Sequence, residues 1–88
     1  MNLKDLITRM LNERLAPSEL AVIDESEQHR GHSGWREGGQ THFRIDIVSP
    51  AFIGKSRVER HRMVNDSVRE AFDRGIHALA VKARAPGE

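Results

Sequence analysis

The chain contains no cysteine. That absence excludes disulfides, agrees with a reducing cytoplasm, and leaves any soft metal centre here without a thiolate. Iron–sulfur chemistry in particular would have to take its sulfur ligands from a partner. Also missing is any apolar run near the roughly 20 residues of a membrane span. The opening residues, which include Lys4 and Asp5, lack the unbroken apolar stretch of a secretion signal. Charge of one sign is scarce as well: 14 basic residues stand against 13 acidic ones, so there is no overall pull toward nucleic acid or membrane, and any basic function must be local. No internal repeat, low-complexity tract or linker interrupts the chain.

What is present fits one small folded domain. Hydrophobic residues make up 38% and charged residues 31% of the 88, too apolar a balance for a disordered chain. A domain this short buries roughly 60% of the surface its unfolded form exposes, which allows one modest core. Leu3, Leu6, Ile7, Met10 and Leu11 recur at helical spacing and predict an amphipathic helix over Leu3–Leu15, capped by Asn2 and stopped by Pro17. Leu20–Asp24 is short, apolar on both parities and reads as a strand. In His42–Ser49, Phe43, Ile45 and Ile47 alternate with His42, Arg44 and Asp46, which predicts a strand buried on one side. Ser56 with Glu59 forms a capping box that starts a second helix at Arg57, with Val58, His61, Val64, Val68, Ala71 and Phe72 inward and Gly75 past its end. His77–Ala83 reads as a third strand and Arg84–Glu88 as a tail. A strand–helix–strand connection predicts a parallel pair with a right-handed crossover. The expected fold is α+β, in αββαβ order, with a three-stranded mixed sheet covered on one face by helices.

Histidine is the residue that carries chemistry. There are five: His29 and His32 in a glycine-rich polar loop over residues 25–40, His77 at the start of the last strand, and His42 and His61 inside a strand and a helix. The last two are read as packing or supporting residues. A loop of that length inside a compact domain serves function more often than it serves the core. The only tryptophan, Trp35, lies in the same loop and is a candidate partner contact.

Several segments together resemble the BolA family: Asp24-Glu25-Ser26, His29-x-Gly31-His32-x-Gly34, Thr41-His42-Phe43, Ile47-Val48-Ser49, Phe52-x-Gly54-Lys55-Ser56, Arg60-His61-Arg62, and His77-Ala78-Leu79 ahead of Ala83-x-Ala85-Pro86. They fall in order and span most of the chain. The resemblance implies a fold similar to type II KH domains and a partnership with monothiol glutaredoxins, in which a bridging 2Fe-2S cluster takes a cysteine and a glutathione thiolate from the glutaredoxin side. From this side it implies a histidine at the start of the last strand, here His77, and a histidine or cysteine from the variable loop. With cysteine absent, that second ligand is expected to be His32 in preference to His29. Imidazole ligation of one iron raises a cluster's potential, as in Rieske centres. The role expected is iron–sulfur trafficking or iron regulation, in a cytoplasmic protein whose apo form is a monomer or weak homodimer.

The rival reading is DNA binding for transcriptional regulation. Lys55, Arg57, Arg60 and Arg62 gather at the start of the second helix, where amides and the helix dipole favour phosphate; Lys55 is equally suited to glutathione or an acidic partner. A KH domain, however, clamps nucleotides with Gly-x-x-Gly between helices, and here Gly31-His32-Ser33-Gly34 lies between strands. The bland alternative for these cations is a solvated helix face paired with Glu59 and Asp66. Zinc is disfavoured because structural zinc sites are rich in cysteine. No nucleophile stands in a context such as Gly-x-Ser-x-Gly, so the chain reads as an adaptor and not as an enzyme.

Overall fold

A computed structural model describes residues 2–25 and 42–88, and the structural statements below concern those residues. Helix α1 spans Leu3–Leu15, and its start is set by the Asn2 side chain, which accepts a hydrogen bond from the Asp5 amide at 2.8 Å. Leu3, Leu6, Ile7, Met10, Leu11 and Leu15 are all buried on one stripe. The helix ends at Ala16, which adopts the left-handed conformation (φ 44°) immediately before Pro17. Strand β1 follows at Glu19–Asp24 and β2 at His42–Val48, antiparallel to each other, with Leu20 opposite Ile47 and Val22 opposite Ile45. Strand β3, Ala78–Arg84, lies parallel to β2, with Phe43 beside Leu79 and Ile45 beside Val81. The sheet order is β1-β2-β3. This is the mixed three-stranded sheet that the sequence pattern predicts, displaced by a residue at some strand ends.

Register and period together fix the core. Phe43, Ile45 and Ile47 lie on one face of β2 and cluster with Val22 of β1, the α1 stripe, Phe52, Val64, Val68, Ala71 and Ile76, while Leu79, Val81 and Ala83 of β3 pack against them. Removing these side chains from water, at roughly 25 cal/mol per Å2 of apolar surface, is the main force holding helices to sheet. Between β2 and the next helix, Pro50–Phe52 forms a short 3-10 turn. The fully buried Ser49 organises it, its hydroxyl donating to the Leu15 carbonyl and accepting from the Ala51 amide at 3.1 Å.

The second helix differs from expectation in two ways. It is broken at Val68 into α2 (Arg57–Ser67) and α3 (Arg69–Asp73). Arg14 of α1 donates to the Ser67 carbonyl, the acceptor that the Ala71 amide would use in a continuous helix, and Ala71 bonds to Val68 instead at 2.9 Å. The Ser67 hydroxyl also donates back to the Met63 carbonyl at 2.7 Å, an arrangement that bends helices. Second, Val58 does not face inward but is 58% exposed. Six residues before Val64, it lies about 120° around the helix from the buried stripe.

Candidate functional site

Two regions bring chemistry-bearing side chains together, at opposite ends of β3. The first is the rim where β2 and β3 begin. Because the two strands run parallel with His42 opposite Ala78, the residue preceding β3, His77, falls next to the first residue of β2. The rings of His42 and His77 are 5.3 Å apart, centroid to centroid, and tilted by 49°. His42 is buried and His77 exposed. The Glu25 amide donates to the His42 carbonyl at 2.8 Å, and the Glu25 carboxylate accepts from Arg44 Nε at 3.1 Å. Glu25, His42, Arg44, Ala78 and Ala80 line a shallow hollow of about 390 Å3 on this rim.

His77 is exposed and stands one residue before β3, where the sequence reading made it the strand's first residue. His29, His32 and Trp35 lie outside the described residues. The sequence reading left His42 as a supporting residue, and its proximity to His77 could have been found only from the parallel register. Among the described residues, no group of three or more His, Cys, Asp or Glu side chains is arranged to hold a metal ion. The rim brings two imidazole rings together, with the Glu25 carboxylate beside them held by Arg44.

The second region is a groove of about 660 Å3 between α2 and the outer side of β3, lined by Lys55, Arg57, Arg60, His61, Val81, Lys82 and Ala83. The capping box orients its helix: the Glu59 amide donates to Ser56 Oγ at 3.1 Å and the Ser56 amide to Glu59 Oε1 at 3.0 Å. These bonds hold the Glu59 carboxyl below its usual value. The Glu59 carboxylate is attracted by the Lys55 and Arg62 charges, and Asp66 pairs with Arg69. Arg60 instead forks onto the Glu88 carboxylate, with Nη2 2.7 Å from Oε2 and Nη1 bound to Oε1. Arg60 Nε also donates to the Lys55 carbonyl at 3.0 Å, and Nη1 reaches the Ala83 carbonyl at 3.5 Å. Arg62 is exposed but does not line the groove, whereas Lys82, which the sequence reading did not single out, does. From His77 to Val81–Ala83 is roughly 13–20 Å along an extended strand, so rim and groove are separate places.

The fold is that of a small α+β domain with a three-stranded mixed sheet. The family model for BolA-like proteins matches residues 11–88, and the chain belongs to that family. It is 49% identical over 89 residues to a Sinorhizobium protein named by its position in the cobS 5′ region, of which it spans 96%. With SufE-like protein 1 of Arabidopsis thaliana it shares 44% identity over 86 residues while spanning 23% of that longer chain. It is also 35% identical over 79 residues to a Vibrio cholerae protein named DNA-binding transcriptional regulator BolA, spanning 71% of it. Among solved structures, BolA1 from Arabidopsis thaliana superposes with a TM-score of 0.86 at 35% identity, covering 100% of this chain and 96% of that one. The BolA domain of SufE1 from the same plant gives 0.84 at 43% identity, covering 94% and 91%.

Proposed function

We propose that this protein is an adaptor that binds a monothiol glutaredoxin and shares a 2Fe-2S cluster with it, for iron–sulfur trafficking or iron regulation. The observation that carries the reading is an exposed His77 with a second imidazole, His42, 5.3 Å away, on the rim of a chain that has no thiolate. His77 would be the constant ligand. The second nitrogen would come from His32 or His29, as the family resemblance implies, with His42 beside His77 to orient it or to stand in. The cluster would supply one-electron chemistry, and its sulfur ligands would come from the partner's cysteine and glutathione.

The test is a titration of the protein with a monothiol glutaredoxin, glutathione, ferrous iron and sulfide, read by visible absorption and circular dichroism. A coloured heterodimer is expected from the wild type and an altered or absent spectrum from His77→Ala, with His29→Ala, His32→Ala and His42→Phe run in parallel. A wild-type spectrum from His77→Ala would remove that residue from the site.

DNA binding through Lys55, Arg57, Arg60 and Arg62 is the second reading, favoured by the basic groove and by the name of the Vibrio relative. It ranks lower because Arg60 is engaged by Glu88 and Arg62 lies outside the groove lining. Duplex affinity that falls steeply with salt and drops in an Arg57→Gln, Arg62→Gln double variant would support it.

A further inference from the structure

The outer edge of β3 and the tail that follows it form a small self-contained device. Among the described residues no strand lies beyond β3. The Arg84 carbonyl accepts from the Ser49 amide on the β2 side at 3.0 Å. Backbone groups alternate direction along a strand, so those of Leu79, Val81 and Ala83 face outward. The groove shows this: the Ala83 carbonyl meets Arg60 Nη1, and the Ala85 amide, next in the series, donates to Glu88 Oε1 at 3.1 Å. Residues Ala85-Pro86-Gly87-Glu88 make a tight turn, with the Glu88 amide donating to the Ala85 carbonyl at 3.2 Å and Gly87 at φ 86°. Proline second and a positive-φ glycine third are what a type II turn requires. The turn delivers a carboxylate to the end of a basic groove, where a guanidinium fork and a backbone amide hold it.

We propose that the groove between α2 and the outer edge of β3 is a docking site for an acidic, extended segment of a partner protein, and that Glu88 is the chain's own occupant of Arg60, which a partner carboxylate displaces. The segment adds to β3 as a fourth strand, pairing with the outward N–H and C=O groups of Leu79 and Val81. Its acidic side chains lie against Lys55, Arg57 and Lys82, which line the same groove. Two observations favour a peptide over a polynucleotide. The oxyanion already seated on Arg60 is a carboxylate. A strand edge also presents donors and acceptors in alternation, and a peptide backbone offers both, whereas a phosphodiester backbone offers acceptors alone. This proposal does not depend on the cluster reading, since the groove is remote from His77.

The probe is a fluorescein-labelled, amidated peptide of four Glu-Val repeats, titrated into the full chain at low salt and followed by anisotropy and by amide NMR shifts. The Gln-Val counterpart and a 20-base-pair duplex serve as comparison ligands. Saturable binding with shifts at Leu79, Val81 and Ala85 is expected. Glu88→Gln should tighten it roughly twofold to fivefold, because a partly exposed ion pair no longer competes. Lys55→Gln, on the exposed surface, should weaken it without changing the circular dichroism spectrum. Equal affinity in wild type and Glu88→Gln, equal binding of the Gln-Val peptide, or absence of peptide binding would each overturn the proposal. So would duplex binding that moves the β3 amides when the peptide does not.

Discussion

The imidazoles of His42 and His77 face each other across the start of a parallel strand pair, 5.3 Å between ring centroids, one buried and the other open to solvent. Parallel strands begin at the same end of a sheet, so the first residue of β2 and the residue before β3 meet although much of the chain separates them. The buried ring packs where the open one can lean on it, which restrains His77 without enclosing it.

That division of labour is measurable in the apo protein. His42→Ala removes a ring that is 6% exposed and should lower unfolding free energy by about 1–2 kcal/mol. His77→Ala, at an exposed position, should stay within about 0.5 kcal/mol of wild type. Urea unfolding at neutral pH distinguishes them, and a larger loss from His77→Ala would contradict the assignment of His42 as the packed member.

Acid should loosen the Arg60–Glu88 clamp. The Arg60 fork and the Ala85 amide lower the Glu88 carboxyl from 4.5 to about 2. Within that window the unfolded chain binds more protons than the folded one, so the stability from this pair is complete above about 4.5 and drains as pH falls toward 2. Urea midpoints of the wild type should therefore fall more than those of Glu88→Gln over this range. Parallel curves would show that the clamp contributes nothing to the fold.

Ser49→Ala should be among the costliest single-atom changes. The hydroxyl is fully buried, donating to the Leu15 carbonyl and accepting from the Ala51 amide. Its loss leaves the buried Leu15 carbonyl and the part-buried Ala51 amide without that partner, a penalty of about 1–3 kcal/mol. Thermal unfolding of Ser49→Ala would register this as a clear drop in Tm, and a Tm within a degree of wild type would mean that water replaces the hydroxyl there.

Ser56→Ala should cost about 1 kcal/mol by removing the hydroxyl half of the capping box at α2. Because that helix start also presents Lys55 and Arg57 to the groove, faster amide exchange at residues 57–60 should accompany the loss. Unchanged exchange would show that packing of Val64 and Val68 alone fixes the helix start.

The element pattern was legible because its causes are local. Helix α1 carries its cap and its stop within a few residues of each end, and the Ser56–Glu59 box states its geometry in four positions. The alternation in β2 exposes its buried face directly. The break at Val68 was hidden, since it depends on a guanidinium from α1 capturing the Ser67 carbonyl. Val58 was misplaced because an apolar residue six positions from Val64 resembles a stripe member until its angle is counted.

Sequence alone determined most of the elements and the absence of thiolates, which rest on spacing and composition, and its motifs carried the family resemblance. Tertiary structure decided which distant groups meet: His42 with His77 through parallel register, and Glu88 with Arg60 through a turn that folds back onto a helix. Such pairs depend on how strands align and helices cross. Those are outcomes of packing the whole core, and no short window of residues contains them.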